Sequence, residues 1–107
     1  MTVDEARAVT LDQPDAVEGE HHGHPDFRVG KSIFATLWPT QDRSVLRLPE
    51  PFAESLEQED PAQFRIVGRS KGQGWVSIDL ATMDAARFRE LMEIAHQHLL
   101  AGKSGSR

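Results

Sequence analysis

The sequence predicts an α/β (α+β) fold, a two-layer sandwich in which a mostly antiparallel sheet carries N-terminal, middle and C-terminal helices. Three observations lead there. A capped helix start opens the chain, and an amphipathic stripe with three- and four-residue spacing fills its last quarter. Between them, short apolar or alternating runs are separated by turn residues, the spacing of strands joined by hairpins. A length of 107 residues is enough for one modest core, so residues 1–102 are read as one domain and 103–107 as a flexible polar tail.

The elements follow in order. Thr2 and Glu5 have the spacing of a capping box, and Val3, Ala6, Val9 and Thr10 line the inner side of a helix that Pro14-Asp15 ends. Residues 16–22 are extended, with Val17 inward, until Gly23-His24-Pro25 breaks the run. Phe27–Val29 resumes a strand, and Gly30-Lys31 makes a tight hairpin turn. Lys31–Trp38 is the strongest strand, with Ile33, Ala35 and Leu37 on one face and Phe34, Thr36 and Trp38 on the other. Ser44–Leu48 is the next strand of a meander. Pro51 suits the first turn of a helix over 49–59, with Phe52 and Leu56 inward. Phe64–Val67 is extended, and Gly68–Gly74 reads as a flexible cationic loop before the strand Trp75–Leu80. Asp84 caps the last helix. Its stripe is Phe88, Leu91, Met92, Ala95 and Leu99, and Gly102 is its expected stop.

Composition excludes several classes. There is no cysteine, hence no disulfide and no thiolate chemistry. No apolar run approaches the roughly 20 residues of a membrane helix, and the acidic N-terminal stretch has no apolar signal core, so cytoplasmic residence is expected. The net charge of −5 argues against a polyanion binder that uses its whole surface, but the charge is segregated. Residues 1–27 and 48–64 are acidic, net −6 and −5, whereas 28–47 and 65–79 are basic, net +3 and +2. The bases thus fall on the predicted strands and hairpins, which can build one basic face on an acidic protein.

The run Pro14…Val17-Glu18…His22-Gly23-His24-Pro25-Asp26-Phe27-Arg28-Val29-Gly30-Lys31…Phe34-Ala35, paired with Gly74-Trp75-Val76…Asp79-Leu80 before a terminal helix, resembles the MmcQ/YjbR family of small bacterial proteins. The resemblance implies a CyaY/YjbR-type fold, an antiparallel sheet with helices on one side. It also implies DNA binding through a double-wing arrangement of hairpins. One departure is Val29-Gly30-Lys31-Ser32, where relatives commonly carry a second glycine.

Four readings of the candidate site follow. In the first, Arg28, Lys31, Arg43, Arg69 and Lys71 form a cationic hairpin surface that binds DNA with low sequence specificity, supported by Arg47, Arg65, Gln41 and Gln73. In the second, His22 and His24 share a side of an extended segment and bind a metal with Asp26, Glu20, His96 or His98 as third ligand. In the plainer reading no metal or other cofactor is held and His22, His24 and Pro25 are structural turn residues, the resemblance implying that His24 hydrogen-bonds across the sheet. His96 and His98 then complement the dipole of the last helix. In the third, His24, Asp26 and a serine form a triad. No nucleophile elbow, P-loop or dinucleotide fingerprint accompanies them, so no enzyme is expected. In the fourth, a sheet face around Trp38 and His24, left open by the helices, binds a protein partner or small ligand.

Overall fold

The computed structural model describes residues 1–105, with side chains as far as residue 102. Within them the chain forms α1 (Val3–Leu11), β1 (Val17–His21), β2 (His24–Val29), β3 (Ser32–Trp38), a 3-10 turn (Pro39–Gln41) and β4 (Arg43–Pro49). There follow α2 (Glu50–Glu59), β5 (Phe64–Ser70), β6 (Gln73–Asp79), a second 3-10 turn (Leu80–Thr82) and α3 (Ala85–Gly105). The six strands make one antiparallel sheet of order β1-β2-β3-β4-β6-β5. The first four form the expected meander. Helix α2 then carries the chain across β4 and β6 so that β5 becomes the far edge.

Local chemistry accounts for the ends of the helices. Thr2 and Glu5 complete the capping box, the Glu5 amide donating to Thr2 Oγ1 at 3.1 Å and the Thr2 amide to Glu5 Oε1 at 2.7 Å. Asp84 accepts the Arg87 amide at 2.9 Å through Oδ2 and so opens α3. All three helices lie on one face. Their inward residues, among them Ala6, Ala53, Leu56, Phe88, Met92 and Leu99, join Phe27, Leu37, Leu46, Leu48, Val76 and Ile78 of the sheet in one core. Gly74 is where α2 comes closest, since a Cβ placed there would lie 2.7 Å from that of Ala53.

Three two-residue turns set the register. His22-Gly23 and Lys71-Gly72 have both residues at positive φ, as the first type of mirror-image hairpin turn requires. In Gly30-Lys31 only Gly30 is at positive φ, the mirror-image turn that needs glycine at its first position alone. A second glycine at Lys31 is therefore unnecessary, which explains the departure noted in the sequence.

Several expectations are corrected. Residues 68–74 are not a loop: β5 runs to Ser70, β6 starts at Gln73, and Lys71-Gly72 alone turns the chain. Gly23-His24-Pro25 is not a break either, because the turn is His22-Gly23 and Pro25 lies inside β2. Pro25 pairs with Glu20 one step beyond the closing pair His21–His24, where the missing amide would not have served that ladder. Val17 faces solvent, 56% exposed. Helix α3 does not stop at Gly102 but continues through Gly105. The tail expected at 103–107 lies outside the described side chains, and residues 106 and 107 lie outside the described chain.

Strand β3 departs from strict alternation. Its register against β2 shifts between Phe27–Ala35 and Arg28–Ile33, which makes Phe34 an extra residue. Phe34 is consequently turned into the core beside Ala35, fully buried and edge-on to His96 of α3 at 5.8 Å. Ile33 falls instead on the face of Thr36 and Trp38, which stand outside the core together with Val45 and Trp75. The helices therefore cover one side only, and the other side of the sheet is open.

Candidate nucleic-acid interface

The antiparallel order puts the turns Gly30-Lys31 and Lys71-Gly72 at the same end of the sheet. At that end β3 and β4 separate. They pair only from Ala35–Leu46 to Trp38–Arg43, while β4 continues to Pro49 along β6 and β3 reaches back to Ser32 along β2. A cleft of about 370 Å³ occupies the splay, lined by Ser32, Arg47, Lys71 and Gln73, with His98, Leu99 and Gly102 of α3 on its helical side. Among the described residues no carboxylate lines it.

The electrostatics of the cleft are one-sided. Arg47 lies against Trp75, its Cζ 5.7 Å from the ring centroid, and its Nε is buried with no hydrogen-bond partner. Arg47, Lys71 and Lys31 take part in no ion pair among the described residues. Burial pushes the Arg47 pKa down from its ordinary value. Burial, and then the Arg47 charge, push that of His98 down as well.

The structure does not gather all five predicted cations. Arg28 donates from Nε and Nη2 to the two carboxylate oxygens of the fully buried Asp26, at 3.0 and 2.8 Å. Arg69 lies 3.7 Å from both Glu50 and Glu54 of α2. Arg43 sits at the opposite end of the sheet and donates to the Ser77 hydroxyl and, at 3.2 Å, to the Ser77 carbonyl. Lys31 and Lys71 share their end of the sheet with Arg28 and Arg69 but, unlike them, take part in no ion pair among the described residues. Arg47 joins them from a strand, and His98 was not on the predicted cationic surface. Its position flanking the α3 stripe carries no sign of the splay between β3 and β4.

The histidines are distributed differently from any ligand set. His24 does not hydrogen-bond across the sheet: its ring lies on that of Trp38, centroids 3.7 Å apart, and Nδ1 is buried without a partner. His22 occupies the turn and packs on His21 at 4.1 Å. Asp26 is taken up by Arg28. His96 is buried with Nε2 2.8 Å from the Pro14 carbonyl, so it ties α3 to the α1–β1 connection instead of complementing a helix end. Among the described residues no group of three or more His, Asp or Glu side chains could hold a metal ion. On the open face a smaller cavity of about 190 Å³ lies between Trp38, Gln41, Arg43, Val45, Val67 and Ser77. No helix among the described residues is long and apolar enough to cross a membrane.

These features define an open-faced α+β sandwich with a cation-lined cleft between two hairpin tips. A family model described as YjbR matches residues 11–98, and the chain belongs to the YjbR family. Among solved structures it is similar to the crystal structure of Deinococcus radiodurans protein DR2400, whose domain is described as DUF419. The two are 27% identical, the match covers 99% of this chain and 82% of that one, and the TM-score is 0.78. Among curated proteins none matches.

Proposed function

We propose that the chain is a non-catalytic, cytoplasmic DNA-binding protein of low sequence specificity that contacts phosphates with one end of its sheet. The observation that carries this reading is the shared placement of Lys31 and Lys71 on two hairpin tips, with Arg47 between them in a cleft that no carboxylate among the described residues lines. The tips are three strand spacings apart, at least roughly 14 Å at about 4.8 Å per spacing, and the splay of β3 from β4 widens this. That is comparable with a major-groove width of about 12 Å, so the two lysines can reach phosphates on either side of one groove. Lysine contacts to phosphate supply affinity without reading bases.

Fluorescence anisotropy with duplex and single-stranded DNA tests the reading. Binding should weaken steeply with salt, with a log–log slope of about −2 to −3 for two or three phosphate contacts. Lys31→Gln with Lys71→Gln should abolish most of it. Arg28→Ala and Arg69→Ala should not, because their charges are already matched within the chain. No binding at low salt, or binding indifferent to the lysine pair, would refute it.

A second reading rests on the open face. The cavity beside Trp38 and the 57% exposed Val67 make a site for a protein partner or small ligand. Such binding would tolerate salt and survive the lysine substitutions.

A further inference from the structure

The cleft at the turn end holds polar groups that neither the core nor the sheet employs. Its volume, about 370 Å³, falls within the range of small-ligand pockets, about 300–1,000 Å³. Donors arrive from four separate parts of the fold: Ser32 from β3, Arg47 from β4, Lys71 and Gln73 from the β5–β6 hairpin, and His98 from α3. Arg47 Nε is buried and unpartnered, which in a settled interior is uncommon. The acids that might have satisfied these donors are occupied elsewhere. Glu50, whose amide donates to the Gly72 carbonyl beside Lys71, directs its carboxylate to Arg69, as does Glu54.

We propose that this cleft binds the phosphate of a phosphomonoester, with Arg47 and Lys71 as its charged donors and Gln73, His98 and Ser32 as its neutral ones. A planar guanidinium and an ammonium converging from different elements suit a dianion with three free oxygens better than a phosphodiester with two. The cleft is also larger than one phosphate, which leaves room for the substituent it carries. That chemistry has two sources, a free nucleotide-sized phosphomonoester or the 5′-phosphate end of a nucleic-acid strand. The inference does not depend on duplex binding by the hairpin tips.

The test is calorimetric titration of the full chain with thymidine 5′-monophosphate, inorganic phosphate and thymidine, followed by 5′-phosphorylated and 5′-hydroxyl oligonucleotides. The monophosphate should bind and thymidine should not. Arg47→Gln should weaken the monophosphate at least tenfold, and Gln73→Ala, at a strand end, about threefold. If Arg47→Gln fails to fold by circular dichroism, Gln73→Ala decides alone, and unchanged affinity there overturns the site. Equal behaviour of thymidine and its monophosphate also overturns it. Stronger binding of the phosphorylated oligonucleotide assigns the site to strand ends, and binding of the mononucleotide alone assigns it to a free ligand. Duplex binding that Lys31→Gln weakens, in a protein with no affinity for the monophosphate, would sink this inference and leave the hairpin reading standing. The reverse pattern would do the opposite.

Discussion

Arg28 grips Asp26 with two hydrogen bonds, Nε to Oδ1 at 3.0 Å and Nη2 to Oδ2 at 2.8 Å, and the aspartate is fully buried beneath it. Gly19 on β1 makes room for the pair, since a Cβ there would lie 2.9 Å from Asp26 Oδ1. The arrangement turns one of the predicted DNA contacts into a structural pair along β2, seated over Gly19 of β1.

Removing Arg28 leaves a buried carboxylate without its counter-ion. Arg28→Ala should therefore lower stability, read as a lower urea midpoint. The pair also sets an acid limit. The Arg28 hydrogen bonds hold the Asp26 pKa below its ordinary value. The stabilisation is thus fully present above the unfolded aspartate pKa, about 3.9, and is lost as pH falls through the lower folded value. In Arg28→Ala, burial without the partner favours the protonated form, so the loss of this stabilisation below pH 4 should disappear from the melting profile. An unchanged acid limb would show that the pair is not its source.

Gly74 carries a different constraint. An added methyl would sit 2.7 Å from the Ala53 Cβ, a short and rigid side chain on α2 that cannot swing aside. Gly74→Ala should destabilise the fold by about 1–3 kcal/mol, the usual penalty for overpacking. Ala53→Gly in the same chain should recover part of this, less the roughly 1 kcal/mol that glycine costs inside a helix. A double-variant cycle with no coupling between the two positions would contradict the close approach of α2 to β6.

Much of the fold is legible in the sequence, and what is not has identifiable causes. The capping box, the α3 stripe and the β1–β4 meander are written in local residue chemistry that tertiary contacts do not override. The Gly68–Gly74 segment is misread because β5 is an edge strand: Arg69 and Ser70 need no apolar alternation there, and three glycines within seven residues mimic a loop. The faces of β3 are misread because alternation assumes an unbroken ladder, and the extra residue Phe34 is visible only against β2. The site fared similarly. Arg69 is taken up because α2 brings Glu50 and Glu54 against β5, a long-range fact, whereas Asp26 lies two residues from Arg28 and pairs with it once β2 puts both side chains on one face.

His98 should report the state of the cleft. Burial and then Arg47 depress its pKa below the ordinary 6.5. The unfolded chain therefore binds the proton more readily, and stability should fall as pH drops through about 6.5 toward the folded value. Proton NMR of the imidazole should give a titration midpoint under 6.5, moving upward in Arg47→Gln as the positive neighbour is removed. A midpoint at or above the ordinary value would mean that the His98 ring is more open to water, or nearer to a carboxylate, than its place in the cleft allows.

His24 offers a test of what replaces the expected cross-sheet hydrogen bond. Its ring lies 3.7 Å from that of Trp38, centroid to centroid, tilted by 31°, while Nδ1 is buried and unpartnered. Phenylalanine keeps an aromatic ring on Trp38 and removes the unsatisfied nitrogen, so His24→Phe should be neutral or stabilising by up to about 1 kcal/mol. His24→Ala removes the ring contact itself and should cost about 1 kcal/mol or more. Urea midpoints of the two variants separate the cases. A phenylalanine variant as damaged as the alanine one would show that the nitrogen, through a bound water or another donor, is what holds the β1–β2 hairpin to β3.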